Sequence, residues 1–145
     1  MDRPVRTYEF ATSTWTLPEE YTAPHALCGQ GVYLLNHSED SESNANPNVG
    51  SFGQVVASKH TPTGAGVAIK RFTRVFVSTE DAKRVFREVH LLRLLTRDGA
   101  SPDVIRLLDC FSAQHSAADL TDLYIVMPLI PCDLHRVIYA RVFLG

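Results

Sequence analysis

A hairpin signal followed by an amphipathic helix is the feature that most constrains the fold of this chain. Residues 54–60 alternate between apolar and polar side chains, and the turn from Thr61 to Gly64 separates them from an apolar run at 66–72. Proline presets φ for a turn and glycine accepts φ > 0, so this segment predicts two antiparallel strands.

The helix is predicted to begin after Ser78. The Ser78 hydroxyl can cap the free backbone amides, and Asp81 three residues later completes a possible capping box. An apolar stripe at helical spacing follows, made of Val85, Phe86, Val89 and Leu92. We expect the helix to run to about Arg97 and to end at residues 98–99.

Three further strands complete the predicted sheet. They cover residues 21–31, which end in a glycine turn, 104–111 and 123–127, with a polar loop at 112–121. A second helix is expected from Asp133, over about 134–139. Residues 1–18 are expected to form an extended segment that docks onto the fold through Trp15. This order predicts an α+β fold, an antiparallel five-stranded sheet with one packed helix.

Composition narrows the function classes. The 145 residues carry 14 basic and 16 acidic side chains, a net charge of -2, which argues against nucleic acid as a partner. The start of the chain lacks the apolar stretch of a signal peptide. The longest apolar run, 123–132, is about ten residues and cannot span a membrane. We therefore expect no membrane partner and a soluble intracellular protein.

The cysteines and histidines suggest neither disulfides nor metal. Cys28, Cys110 and Cys132 are far apart and lack CxxC spacing, so we expect free thiols that are buried or partly buried. The six histidines are scattered, without an HxxxH pair. No metal site is predicted.

Lys70 and Glu88 are the first candidate functional residues. Lys70 ends the apolar run 67–70 and could reach into a cleft, although a lysine at a strand end is commonplace. Glu88 lies along the apolar face of the predicted helix, where a carboxylate needs a cationic partner. Two partners are open: Lys70, on the strand that the helix should cover, and Arg84, one helical turn earlier.

Two glycine clusters interrupt the sequence around a polar segment. Gly29-Gln30-Gly31 precedes residues 32–50, and Gly53 and Val55 follow them. Without residues 32–50 the join reads G-x-G-x-x-G-x-V, with Lys70 fifteen residues after Val55. Glycines let backbone amides approach phosphates. The segment 32–50 is either a genuine insertion or an intron translated in frame, and we favour the intron because excision restores the motif.

These ordered motifs resemble the N-terminal lobe of a protein kinase, and within that family a MAP kinase. Further segments at 15–21, 82–88, 107–111 and 133–138 also resemble MAP kinases. The resemblance covers nearly all of the chain except residues 32–50 and the last few residues. It implies an N-terminal extension at 1–20, a kinase N-lobe at 21–131 and the start of the C-lobe at 132–145.

The resemblance also implies a role for each matching position. Lys70 would hold the α- and β-phosphates of ATP and pair with Glu88. Met127 would be the gatekeeper. In the hinge, Pro128 can offer only a carbonyl, so Ile130 would donate its amide to the adenine edge. The other implied cofactor-binding residues are Gly29, Gln30, Gly31, Gly53 and Val55 over the phosphates, Ala68 at the adenine, and Asp133 at the ribose or as a helix cap.

The implied activity is phosphorylation of protein serine or threonine with Mg-ATP. The implied partners are ATP, protein substrates and an upstream MAP kinase kinase, in the cytoplasm and also the nucleus. The sequence reaches Gly145 before the family's catalytic loop and Mg²⁺ ligands, so we expect no phosphoryl transfer from these 145 residues alone. The alternative is a catalytically inactive, kinase-like binding module.

Overall fold

The computed structural model describes residues 3–30, 53–97, 101, 103–114 and 119–132, with only the backbone described at residues 29 and 30. Its elements are β1 (Val5–Phe10), β2 (Ser13–Pro18), β3 (Ala26–Gln30), β4 (Gln54–Lys59), β5 (Gly66–Phe72), α1 (Thr79–Leu95), β6 (Asp109–Phe111) and β7 (Leu123–Pro128). One antiparallel sheet has the order β3-β4-β5-β7-β6, and β1 and β2 form a separate pair. The predicted five-stranded sheet with one helix is confirmed. Within the described residues, no helix is long and apolar enough to cross a membrane.

The hairpin β1–β2 was not predicted, although Trp15 was predicted to anchor this segment. Trp15 is fully buried, as expected, and packs edge-on against Tyr124 of β7. The turn of this hairpin consists of Ala11 at φ 50° and Thr12 at φ 63°. Both residues occupy the left-handed region that normally requires Gly, Asn or Asp, so the sequence offers no hairpin signal there.

The two faces of β5 have different neighbours. Val67 and Ile69 belong to a core that β2 covers through Trp15. Phe72 points to the opposite face and joins Val85 of α1 in a second core. This alternation follows from the period of two along a strand. It places Lys70 on the same face of the sheet as α1.

Helix α1 begins as predicted and ends slightly earlier. The Ser78 hydroxyl accepts a hydrogen bond from the Asp81 amide at 3.1 Å, which confirms the N-cap. The helix ends at Leu95 with Thr96 as its C-cap, two residues short of Arg97. Residues 98–99, where the break was predicted, lie outside the described residues.

The predicted apolar stripe of α1 contains one error. Val85 is buried, and Val89 and Leu92 pack against the same core. Phe86, however, is 68% exposed and stacks on His90 instead. Consecutive helical residues are rotated by about 100°, so Phe86 points away from the face that Val85 and Val89 share.

Two predicted strands are shorter than expected. The strand expected at 104–111 is confined to Asp109–Phe111, because the preceding Leu107 amide is bonded to the Thr96 hydroxyl instead of to a neighbouring strand. The strand expected at 21–31 begins only at residue 26, and Tyr21 forms an isolated bridge with His60. The helix predicted from Asp133 and the loop residue Gly31 lie outside the described residues.

The cysteine prediction is partly wrong. Cys28 and Cys110 are free thiols, as expected, but they are exposed and not buried, and Cys132 is exposed as well. Cys110 lies on β6, which is an edge strand of the sheet among the described residues, so that one side of it has no strand partner there. Cys28 likewise lies on the opposite edge strand, β3.

The Thr96 hydroxyl joins the end of α1 to the chain that leads into β6. It donates to the Leu92 carbonyl at 2.6 Å and accepts from the Leu107 amide at 2.8 Å. We expect Thr96→Val, which keeps the shape and removes both bonds, to lower the free energy of unfolding by about 1 to 3 kcal/mol. Urea denaturation measures this loss. Thr7→Val, at an exposed pair with Thr16, is the control and should change stability by less than about 0.5 kcal/mol; equal effects of the two variants would contradict the joining role.

Candidate functional site

The ion pair between Lys70 and Glu88 is the centre of the candidate site. Lys70 Nζ lies 2.5 Å from Glu88 Oε1. This ion pair connects β5, in the middle of the sheet, to the middle of α1. The lysine side chain is 20% exposed and the glutamate side chain 38%. Of the two partners left open by the sequence, Lys70 is thus shown in contact with Glu88. Arg84 Nη1 lies 4.0 Å from Asp81 Oδ1.

A second contact of Lys70 at this site was missed by the sequence analysis. Lys70 Nζ lies 4.6 Å from the centroid of the Phe72 ring. The signal was present in the sequence, because residues two apart on a strand share a face. Phe72 was noted only as an apolar strand residue. The structure shows that its aromatic ring also contacts the Lys70 ammonium group.

The glycine-rich segment is described in part. Gly29 pairs with Val55 and Gln30 with Gln54 where β3 and β4 end, with a register shift between Leu27 and Gly29. Gly53 is buried, with φ at +99°. The described part thus brings Gly29, Val55 and Gly53 to one end of the sheet, and Gly31 lies outside the described residues.

Gly53 has a structural requirement that the motif did not reveal. A Cβ atom at this position would lie 1.9 Å from the Arg71 carbonyl oxygen of β5. No side chain fits at that separation, which is far below van der Waals contact. The glycine is therefore needed for the close approach of two backbone segments, whatever ligand binds nearby.

The residues predicted at the adenine end are brought together by the pairing of β5 with β7. Ala68 lies opposite Met127, and Val67 lies opposite Pro128. The amide of Leu129 is occupied, since it donates to the Gly66 carbonyl at 3.1 Å. Ile130 is the next residue and is 60% exposed. Asp133 lies outside the described residues.

Two cavities lie elsewhere on the described part of the chain. One, of about 480 Å³, is lined by residues that include Arg3, Tyr21 and His60. The other, of about 520 Å³, lies beside Arg93 and Cys110. Neither is lined by Lys70 or Glu88. Among the described residues, no group of three or more potential ligands could hold a metal ion.

Comparison with known proteins finds mitogen-activated protein kinases. Kinase pmk-2 of Caenorhabditis elegans is 39% identical over 129 residues, which cover 89% of this chain and 25% of that protein. Mitogen-activated protein kinase 16 of rice (Oryza sativa subsp. japonica) is 41% identical over 92 residues, 63% of this chain and 17% of its own length. This chain is MAP-kinase-like. Mitogen-activated protein kinase 12 of Mus musculus is 40% identical over 87 residues, 60% of this chain and 23% of its own.

The similarity concerns a limited part of each relative. The MAP-kinase-like chain spans about a quarter or less of the length of these curated relatives. No protein-family model matches it. The antiparallel sheet with one helix agrees with the α+β fold of a kinase N-lobe. The fold and the sequence similarity therefore point to the same family.

Proposed function

We propose that this chain is the ATP-binding lobe of a serine/threonine protein kinase of the MAP kinase type. The observation that carries the proposal is the ion pair between Lys70 and Glu88, which joins strand and helix in a chain similar to MAP kinases. The complete protein would transfer the γ-phosphoryl group of Mg-ATP to protein substrates and would itself be activated by an upstream kinase.

The chemistry of the pair fits a phosphate ligand. An ammonium group has three N–H donors, and Glu88 Oε1 accepts one of them at 2.5 Å. The remaining donors are available for the α- and β-phosphate oxygens of ATP. Glu88 holds the amine in place. Lys70 is only 20% exposed, so its charge is less screened by water than that of a surface lysine.

The other end of the nucleotide would meet the chain where β7 ends. Because Leu129 already donates its amide to Gly66 and Pro128 has none, Ile130 is the next amide that can reach the adenine edge. The Pro128 carbonyl can accept from the adenine amino group. Ala68 and Met127, opposite each other on β5 and β7, would line the adenine face. Bound Mg-ATP supplies the phosphoryl group, and the residues named here bind and orient it.

Replacing Lys70 by methionine tests the proposal. Methionine keeps an unbranched chain but removes the charge, so we expect the dissociation constant for Mg-ATP to rise about 10- to 100-fold, the value of a charge-assisted hydrogen bond. Titration of the 145-residue chain with ATP by calorimetry measures this change. Circular dichroism of the variant shows whether the fold is kept.

The chain offers matched controls, because it has three lysines, Lys59, Lys70 and Lys83. Lys59 and Lys83 are exposed. Lys59→Met and Lys83→Met should leave ATP affinity within about twofold of the original chain. Equal weakening by all three substitutions, or a folded Lys70→Met variant with unchanged affinity, would show that Lys70 does not bind the phosphates.

A further inference from the structure

We propose that Phe72 is a positioning residue that holds the Lys70 ammonium group for its ligand through the face of its aromatic ring. Lys70 Nζ lies 4.6 Å from the ring centroid, inside the distance of about 6 Å at which a cation is attracted to a ring. The consequence for nucleotide affinity rests on the function proposed above. The contact between the ring and the amine does not.

The ring is the fixed partner in this contact. Phe72 is 3% exposed and lies in a buried cluster with Val75, Val85 and Ile125. Side chains in such a core occupy single rotamers. The ammonium group of Lys70, in contrast, stands on a flexible four-carbon stem that has many rotamers. A fixed ring beneath a flexible cation restricts the cation.

Two contacts approach the ammonium group. The Glu88 carboxylate accepts one N–H, and the negative face of the Phe72 ring attracts the charge. Together they reduce the rotamer freedom of Lys70 before any ligand binds. A ligand then meets an ordered donor and loses less entropy on binding. An aliphatic residue at position 72 could fill the core but would not attract the charge.

Fluorination of the Phe72 ring separates attraction from packing. Fluorine withdraws electron density from the ring face and hardly changes the ring's shape. We would introduce mono-, di- and trifluorophenylalanine at position 72 by site-specific incorporation. The rate at which acetic anhydride acylates Lys70 without nucleotide, relative to Lys59 and Lys83 in the same chain, is read by mass spectrometry. The affinity for Mg-ATP is measured on the same samples.

We expect the relative acylation rate of Lys70 to rise with each fluorine, because a ring that attracts the ammonium group less leaves it freer to reach the reagent. We expect trifluorophenylalanine to weaken Mg-ATP binding about two- to fivefold, the range for a partly exposed cation on a ring. The same residue in place of Phe86, which is 68% exposed and stacks on His90, is the control and should change neither quantity.

An acylation rate that stays constant across the fluorinated series would overturn the proposal. The monofluoro variant disturbs packing least, so it keeps this test valid if the trifluoro variant is unstable. If the acylation rate of Lys70 rises with each fluorine but no sample binds ATP, the positioning of Lys70 is supported and the proposed nucleotide-binding function is wrong. The two proposals can therefore be separated.

Discussion

Replacing Gly53 by alanine is expected to lower the free energy of unfolding by about 2 to 6 kcal/mol. Two costs combine at this residue. Its φ of +99° is a conformation that residues with a Cβ rarely adopt. The added Cβ would also lie 1.9 Å from the Arg71 carbonyl oxygen, so the backbone would have to move. Chemical denaturation with urea, followed by circular dichroism, measures the loss.

Gly64→Ala is the matched control for Gly53→Ala. Gly64 also has a positive φ, of +72°, but a Cβ there would meet only the Lys59 Cε atom at 3.7 Å. This substitution should cost about 1 to 2 kcal/mol, the strain of the backbone alone. Equal losses at the two glycines would contradict the close approach to β5. Because Gly53 supports the sheet, its variants are poor probes of nucleotide binding.

Asp122→Ala is the second substitution expected to have a large effect, about 3 to 5 kcal/mol. Asp122 Oδ2 accepts from Arg71 Nε at 2.9 Å and from Nη2 at 2.5 Å. The two side chains are only 12% and 17% exposed. Without Asp122, the largely buried Arg71 charge keeps no carboxylate partner among these contacts. The free energy of unfolding from urea denaturation is again the measurement.

The Arg71–Asp122 pair also fastens the β1–β2 hairpin to the sheet. Arg71 Nη1 donates to the Thr14 carbonyl at 2.6 Å, and the guanidinium lies 5.9 Å from the Trp15 ring centroid. We therefore expect Asp122→Ala to loosen this hairpin and to raise hydrogen exchange in β2.

Two further variants test whether the effect of Asp122→Ala comes from the unpaired Arg71 charge. Glu19→Ala breaks the exposed pair with Arg6 and should cost less than about 1 kcal/mol. The double variant Arg71→Met with Asp122→Leu removes both charges and should recover much of the lost stability. If Asp122→Ala is as mild as Glu19→Ala, the pair does not support the fold.

Local signals predicted the centre of the fold well. The β4–β5 hairpin and the Ser78 cap depend on residues adjacent in sequence, namely a Pro-Gly turn and a hydroxyl three residues before an acidic side chain. Such signals act through local backbone geometry, so tertiary contacts do not change the turn or the cap that they predict. The extent of β5, Gly66–Phe72, therefore matched its prediction.

Features that depend on distant contacts could not be predicted in this way. The turn at Ala11 and Thr12 has no glycine, and β1 and β2 are instead stabilised by burial of Trp15 against Tyr124. The strand predicted at 104–111 was too long because the Leu107 amide donates to the Thr96 hydroxyl, eleven residues earlier, and not to a neighbouring strand. These are effects of tertiary contacts, which local propensity does not include.

The candidate site was predictable only as a set of motifs. Periodicity placed Glu88 along the apolar face of α1 but left Lys70 and Arg84 both open as partners, and the fold brings it to Lys70 at 2.5 Å. Strand periodicity places Phe72 on the same face as Lys70, but it does not show that the lysine side chain lies over the ring. Its position beneath a cation depends on where the flexible lysine side chain turns.

Labelling with an acyl phosphate of ATP tests the central claim, that Lys70 binds the nucleotide phosphates, most directly. An amine beside the phosphates attacks the acyl carbonyl, forms an amide and releases ATP. Mass spectrometry then compares Lys70 with Lys59 and Lys83 in the same molecule. We predict rapid labelling of Lys70 that excess Mg-ATP prevents, with slow and unprotected labelling of the other two. Equal labelling of all three lysines, or labelling of Lys70 that Mg-ATP does not reduce, would contradict the account.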